Sequence, residues 1–223
     1  MPQGEAVKRP EHLVGFWPTP AEWAARLVEL AAPAPGMRVL EPQMGEAHLA
    51  RAIREAVPTA QIEGVEINEI RAAKCRAAGF DCTTADFLAM TPEPRYARVI
   101  LNPPFEDDAA IAHVRHGLRF LDAGGRLVAV MPEAVRWAGR AAVVAFRELL
   151  ASTGAQVLDN PAGAFASEGT NVSTVTVVID APGTAPAAPA QAQPAQPVAR
   201  AAEPARAKAP AAAQPAQLSL LAF

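Results

Sequence analysis

Only two cysteines, Cys75 and Cys82, occur in the 223 residues, and their spacing matches no metal-ligand motif. With no secretory signal ahead of them a disulfide framework is excluded, and both are expected to be reduced thiols. No apolar run reaches the length of a membrane span. The opening Met1-Pro2-Gln3-Gly4-Glu5 lacks the basic-then-apolar order of a leader. A soluble, cytoplasmic protein is the expectation. Positive charge is not in excess either: residues 1–180 carry 17 Lys and Arg against 22 Asp and Glu, a net charge of −5. A protein that coats nucleic acid would be basic, so any such contact must rest on a local patch. His113 and His116 sit one helical turn apart with no third ligand, which leaves no metal site.

Aromatic residues are absent from Ala181 to Gln217, a stretch almost wholly of Ala, Pro and Gln with eight prolines. Such a segment cannot bury enough apolar surface to offset its ordering entropy, so a disordered linker over 181–216 is predicted. The remaining 180 residues or so make one domain of ordinary size. Within them apolar runs alternate with helical patterns, which predicts an α/β fold with a mostly parallel sheet. Strands are predicted at 38–40, 61–67, 81–84, 98–101, 126–131, 156–158 and 173–179. The last, rich in β-branched residues, is expected to pair antiparallel. Helices are expected over 47–56, 69–78, 108–121 (stopped by Gly124-Gly125) and 141–151. A first helix is predicted with Thr19 as N-cap, Pro20 at N1 and Glu22 at N3, ending before Pro33.

The chemistry-bearing residues fall at strand ends. Asn102-Pro103-Pro104-Phe105 follows the apolar run 99–101. The Asn102 side-chain oxygen and the Pro103 carbonyl can both accept hydrogen bonds from a planar NH2 group. That draws its nitrogen toward tetrahedral geometry and frees a delocalised lone pair for attack. The prolines stiffen the loop, and Phe105 offers a face on which a ring can stack. After the first strand, Glu41 and Gly45 mark a turn where backbone approaches a ligand closely. Glu66, near the end of the second strand and 21 residues after Gly45, is placed to accept ribose hydroxyls. After the third, Asp86 is placed for the amine of an adenine and Phe87 for its ring.

This series resembles the S-adenosylmethionine-dependent amino-methyltransferases, most closely the DNA adenine-N6 type. Phe16-Trp17-Pro18-Thr19-Pro20 is similar to that family's N-terminal Phe-x-Thr-Pro element, offset by one residue. Leu40-Glu41-Pro42 with Gly45, then Glu66, Asp86-Phe87 and the Asn102 tetrad follow in the family's order. The resemblance covers about residues 14–180. It implies a Rossmann-like, seven-stranded class I methyltransferase fold, S-adenosylmethionine as cofactor, and Thr19 at the cofactor's methionine end. Two departures stand out. The family's Gly-x-Gly reads Gly45-Glu46-Ala47 here, which adds a methyl and a negative charge where the cofactor should approach. No segment is long enough for a target-recognition domain, which implies broad or partner-supplied specificity. Arg136 and Arg140, after the fifth strand, are the candidate phosphate contacts.

The chain closes on Gln217-Leu218-Ser219-Leu220-Leu221-Ala222-Phe223. Gln217, Leu218, Leu220 and Leu221 make a peptide similar to those by which bacterial replication and repair proteins dock on the sliding clamp. A tether ending in apolar anchors suits capture by a preformed groove. DNA and the clamp are the expected partners, and no membrane is. Two alternatives stay open: methylation of a protein glutamine amide or of guanine N2 in RNA, and a non-catalytic binding module on the same fold.

Overall fold

The computed structural model describes residues 18–165 and 172–183. Phe16 and Trp17, most of the Ala/Pro/Gln segment and the peptide 217–223 lie outside the described residues. Seven strands form one sheet: β1 (Arg38–Glu41), β2 (Gln61–Glu66), β3 (Asp81–Thr84), β4 (Tyr96–Leu101), β5 (Leu121–Pro132), β6 (Gln156–Asp159) and β7 (Thr174–Asp180). Their order is β3-β2-β1-β4-β5-β7-β6. The first five pair in parallel, while β7 runs antiparallel between β5 and β6. Five helices connect them: α1 (Ala21–Ala31), α2 (His48–Ala56), α3 (Glu69–Ala77), α4 (Ala109–Gly117) and α5 (Ala141–Thr153).

The period-2 alternation of the central strands explains the layers. Leu40, Val99, Leu101, Leu127, Ala129 and Met131 point to one face, where they meet Val114 of α4 and Phe146 of α5. Val39, Ile100, Val128 and Val130 point to the other, against Leu27 of α1 and Ile53 of α2. Burial on both faces is why these strands read as continuous apolar runs. Among the described residues no helix is long and apolar enough to cross a membrane.

Two boundaries differ from the sequence expectation. Gly124-Gly125 does not stop the helix; α4 ends at Gly117, followed by a 3₁₀ turn over Leu118–Phe120. A Cβ on Gly117 would stand 3.2 Å from Leu127 Cδ1, so the helix packs tightly there on β5. The glycine pair lies inside β5, whose first residue Leu121 pairs with Tyr96 across a register shift. Thr19 is not an N-cap: Pro20 holds that position and no side chain caps α1. The Thr19 hydroxyl is used elsewhere, as described below.

Gly64, within β2, shows how tightly the strand ends are packed. An added Cβ would meet the buried Met44 at 2.1 Å from Cε and 3.1 Å from Cβ. Met44 lines the cleft described below, so its displaced thioether would move into that space. Gly64→Ala is expected to lower stability by about 1–3 kcal/mol and to weaken small-molecule binding in the cleft, read by thermal melting and by calorimetry.

Candidate functional site

The carboxyl ends of β1 to β4 border a cleft of about 270 Å³, where a doubly wound sheet places its ligands. It is lined by Thr19, Glu41 to Glu46, Glu66, Asp86, Phe87, Asn102, Pro104 and His113, among others. The structure thus brings together residues that are up to 95 positions apart in the chain, from Pro18 to His113. Four of them, Glu41, Glu46, Glu66 and Asp86, are acidic.

Glu41 ends β1 and is 4% exposed. Its Oε2 is buried without a hydrogen-bond partner. Desolvation drives its pKa well above the ordinary carboxyl range; the Ala50 amide in the first turn of α2 opposes this, and the Glu66 charge adds to it. The unfolded chain loses this proton near the usual carboxyl pKa, whereas the folded protein holds it to higher pH. Stability therefore falls as pH rises through that window. Glu41→Gln is expected to stabilise the ligand-free protein by about 1–3 kcal/mol at neutral pH. The gain should vanish on acidification to about pH 4, read by urea unfolding across the range.

Glu66, at the end of β2, ties the loop after β1 to its own strand. Its Oε2 accepts from the Gly45 amide at 2.8 Å. Its Oε1 accepts from the Asn68 amide at 2.8 Å and from Arg71 at 2.6 and 3.1 Å. Each oxygen thus has a protein donor already, and ribose hydroxyls would join or replace them. The sequence reading passed over Arg71, one turn into α3, and Ile67, which is 68% exposed beside the cleft. An apolar residue left exposed directly after the acidic strand end was the available signal.

Two concerns about the glycine-poor turn are resolved by geometry. Ala47 adopts the left-handed conformation (φ 63°) that favours glycine, yet its methyl is fully buried. It packs with Met44, Ala50, Ala72, Cys75 and Phe80 and points into the core, away from the cleft. The Glu46 charge is paired with Lys74 at 3.0 Å, which pulls its pKa down.

Asp86 accepts from the Leu88 amide at 2.9 Å and so caps the short turn Phe87–Ala89 while bordering the cleft. Phe87 is buried, stacked on His113 at 5.9 Å and tilted against Phe120 at 5.1 Å. Little of its ring is left to a ligand. His113 in turn meets Gln43 Nε2 through its Nδ1 at 2.7 Å, and burial lowers its pKa. Gln43 Oε1 is buried without a partner. This polar pair, from the β1 loop and α4, had no motif to announce it.

Asn102 follows β4 directly. Its Nδ2 donates to Thr19 Oγ1 at 3.1 Å, so a residue 83 positions earlier sets the orientation of the amide. Pro103 is buried and Pro104 borders the cleft. Phe105 is half-buried, with contacts to the apolar clusters on both sides of the sheet. Beyond it Asp107 (φ 48°) and Asp108 (φ 60°) are both left-handed, a strain of about 1 kcal/mol each.

Arg136 and Arg140 each have a carboxylate partner at the surface. Arg136 pairs with Asp159 at 2.7 Å and donates to the Val157 carbonyl. Arg140 forks onto both oxygens of Asp108, holding that carboxyl below its usual range. Neither lines the cleft. Among the described residues no group of His, Cys, Asp and Glu is arranged to hold a metal.

The strand order and the cleft at the sheet's carboxyl edge define the Rossmann-like class I methyltransferase fold. No protein-family model matches the chain, and no curated protein is significantly similar to it. Solved structures do match. The methyltransferase subunit of a type I restriction-modification system from Streptococcus thermophilus aligns at TM-score 0.63 and 21% identity, over 73% of this chain and 44% of its own. A protein from Listeria monocytogenes assigned to the class I S-adenosylmethionine-dependent methyltransferases aligns at 0.61 and 16%, over 78% and 63%. A geranyl diphosphate methyltransferase solved with S-adenosylmethionine aligns at 0.53 and 15%, over 72% and 84%. The chain spans less than two thirds of the length of the first two.

Proposed function

We propose that this protein is an S-adenosylmethionine-dependent N-methyltransferase that methylates the N6 amine of adenine in DNA. The observation that carries the reading is the Asn102 amide, hydrogen-bonded to Thr19, on the border of the same cleft as Glu41, whose buried Oε2 has no partner. The acidic lining suits a cofactor that carries an ammonium and a sulfonium charge. Glu41 would meet the ammonium, Gly45 and Glu66 the ribose side, and Ile67 and Asp86 the adenine. When bound, the cofactor supplies an electrophilic methyl group.

The chain's own residues prepare the amine. Asn102 Oδ1 and the Pro103 carbonyl accept from the substrate NH2 and stabilise the positive charge that develops on nitrogen. The proton can leave after transfer, so no general base is required. In duplex DNA the adenine must first leave the stack, at a cost of a few kcal/mol.

Expression in a host that lacks adenine methylation, followed by nucleoside mass spectrometry of DNA and RNA, tests the reading. N6-methyldeoxyadenosine that appears with the native protein and disappears with Asn102→Ala is the expected result. Methylated RNA or protein with unmodified DNA would overturn the substrate, and failure to bind S-adenosylmethionine in calorimetry would overturn the enzyme. The clamp-like peptide would bring such an enzyme to replicating DNA. Deletion of residues 217–223 is expected to abolish capture by the purified bacterial clamp.

A further inference from the structure

The segment between β5 and α5 carries the most exposed of the large apolar side chains in the described structure, Trp137, at 71%. Its surroundings are not those of a loose loop. Arg136, just before it, is bound to Asp159 and the Val157 carbonyl on β6. Ala138, just after it, is buried, and its carbonyl accepts from Arg147 at 2.8 Å. The Trp137 and Ala138 amides both donate to the Ala134 carbonyl. Arg140 closes the segment with its fork onto Asp108, three residues beyond the catalytic tetrad. An indole left in solvent is thus mounted on backbone that is fastened on both sides and tied directly to the Asn102 loop.

Building on the DNA reading above, we propose that Trp137 is a stacking platform for a base of the DNA strand that enters the cleft, and that Arg136 and Arg140 are the staples that present it. The charge pattern separates this from a backbone contact. Both arginines are neutralised by carboxylates, and Glu106 and Asp107 are exposed on the tetrad side of the fork. A phosphate would meet net negative charge there. A base offers an uncharged face, and stacking on indole needs no cation and tolerates any sequence. Phe105, half-buried against the apolar clusters of the sheet, offers less of its face than Trp137. Nor does fastening the backbone serve the indole's own packing, because the indole has little; it serves to hold the ring ready for a ligand, which spares the ordering cost on binding.

The test uses the full chain and a fluorescein-labelled single-stranded deoxyoligonucleotide, followed by anisotropy over a series of salt concentrations. Trp137→Ala is expected to bind about tenfold more weakly, the size of one base–aromatic stack. Trp137→Phe should stay within about threefold of the native protein. Both should bind S-adenosylmethionine with native affinity and melt at the native temperature. Arg140→Ala should also weaken binding, yet leave the slope of log affinity against log salt unchanged. A phosphate contact would instead reduce that slope by about 0.7 for a single strand. Native binding by Trp137→Ala, or a reduced slope for Arg140→Ala, overturns the platform and leaves adenine methylation standing. A native protein that binds RNA or a basic peptide but not DNA overturns both.

Discussion

Asn102→Ala is expected to cut the methylation rate by about 10²–10³-fold, the usual consequence of removing one polar group aimed at developing charge. Affinity for S-adenosylmethionine should change little, because in the proposed reading Asn102 meets the substrate amine and not the cofactor's anchoring groups. The loss should therefore appear in kcat, with the KM for cofactor held. The Thr19 contact provides an internal control. Thr19→Val removes the hydroxyl that accepts from Asn102 Nδ2, loosening the hold on the amide, and should lower kcat by a smaller factor. Thr19→Ser keeps an oxygen in the same place and should restore most of the rate. If Thr19→Val instead weakens cofactor binding and leaves kcat alone, Thr19 serves the methionine end and does not position the amide. Single-turnover kinetics with calorimetry of the same variants separates the two.

The largest effect on stability is expected at Glu66. Its carboxylate holds two backbone amides and the Arg71 guanidinium, and both side chains are nearly buried, at 5% and 12% exposed. Truncation to Ala would remove the carboxylate that Arg71 pairs with and strip the Gly45 amide of its acceptor. Removing one member of a buried ion pair costs about 3–5 kcal/mol, a large share of the ~5–15 kcal/mol by which domains are stable. Urea unfolding of Glu66→Ala should show that loss, and the cofactor loop should lose its fixed position along with it. The double variant Glu66→Leu with Arg71→Met should recover much of the stability, since an apolar pair carries no desolvation penalty, while cofactor binding stays lost. Recovery of both, or a loss below about 1 kcal/mol for Glu66→Ala, would show that Glu66 is not the tie between β1 and β2.

Much of the architecture was legible because burial on two faces writes itself into composition. Apart from Arg126 and Ser173, the runs 99–101, 126–131 and 173–179 are apolar or β-branched throughout, and each proved to be a strand with helices or strands on both sides. The antiparallel placement of β7 followed from the same signal. Glycine was the less dependable mark. Gly124-Gly125 reads as a helix stop, yet the helical turns end at Phe120 and the pair lies inside β5.

The site divides in the same way. The identities of Glu41, Gly45, Glu66, Asp86 and Asn102, and their recurrence at successive strand ends, were determined by the sequence alone, because a strand-to-helix turn is a local event. What each side chain does with its free atoms was decided by tertiary structure. Thr19 orients Asn102 and does not cap a helix. The Ala47 methyl lies in the core and not in the cleft. Arg136 and Arg140 pair with Asp159 and Asp108, and the most exposed aromatic side chain is Trp137. The partners of Asn102, Arg136 and Arg140 come from distant parts of the chain, and electrostatic pairing is settled only when folding brings them together.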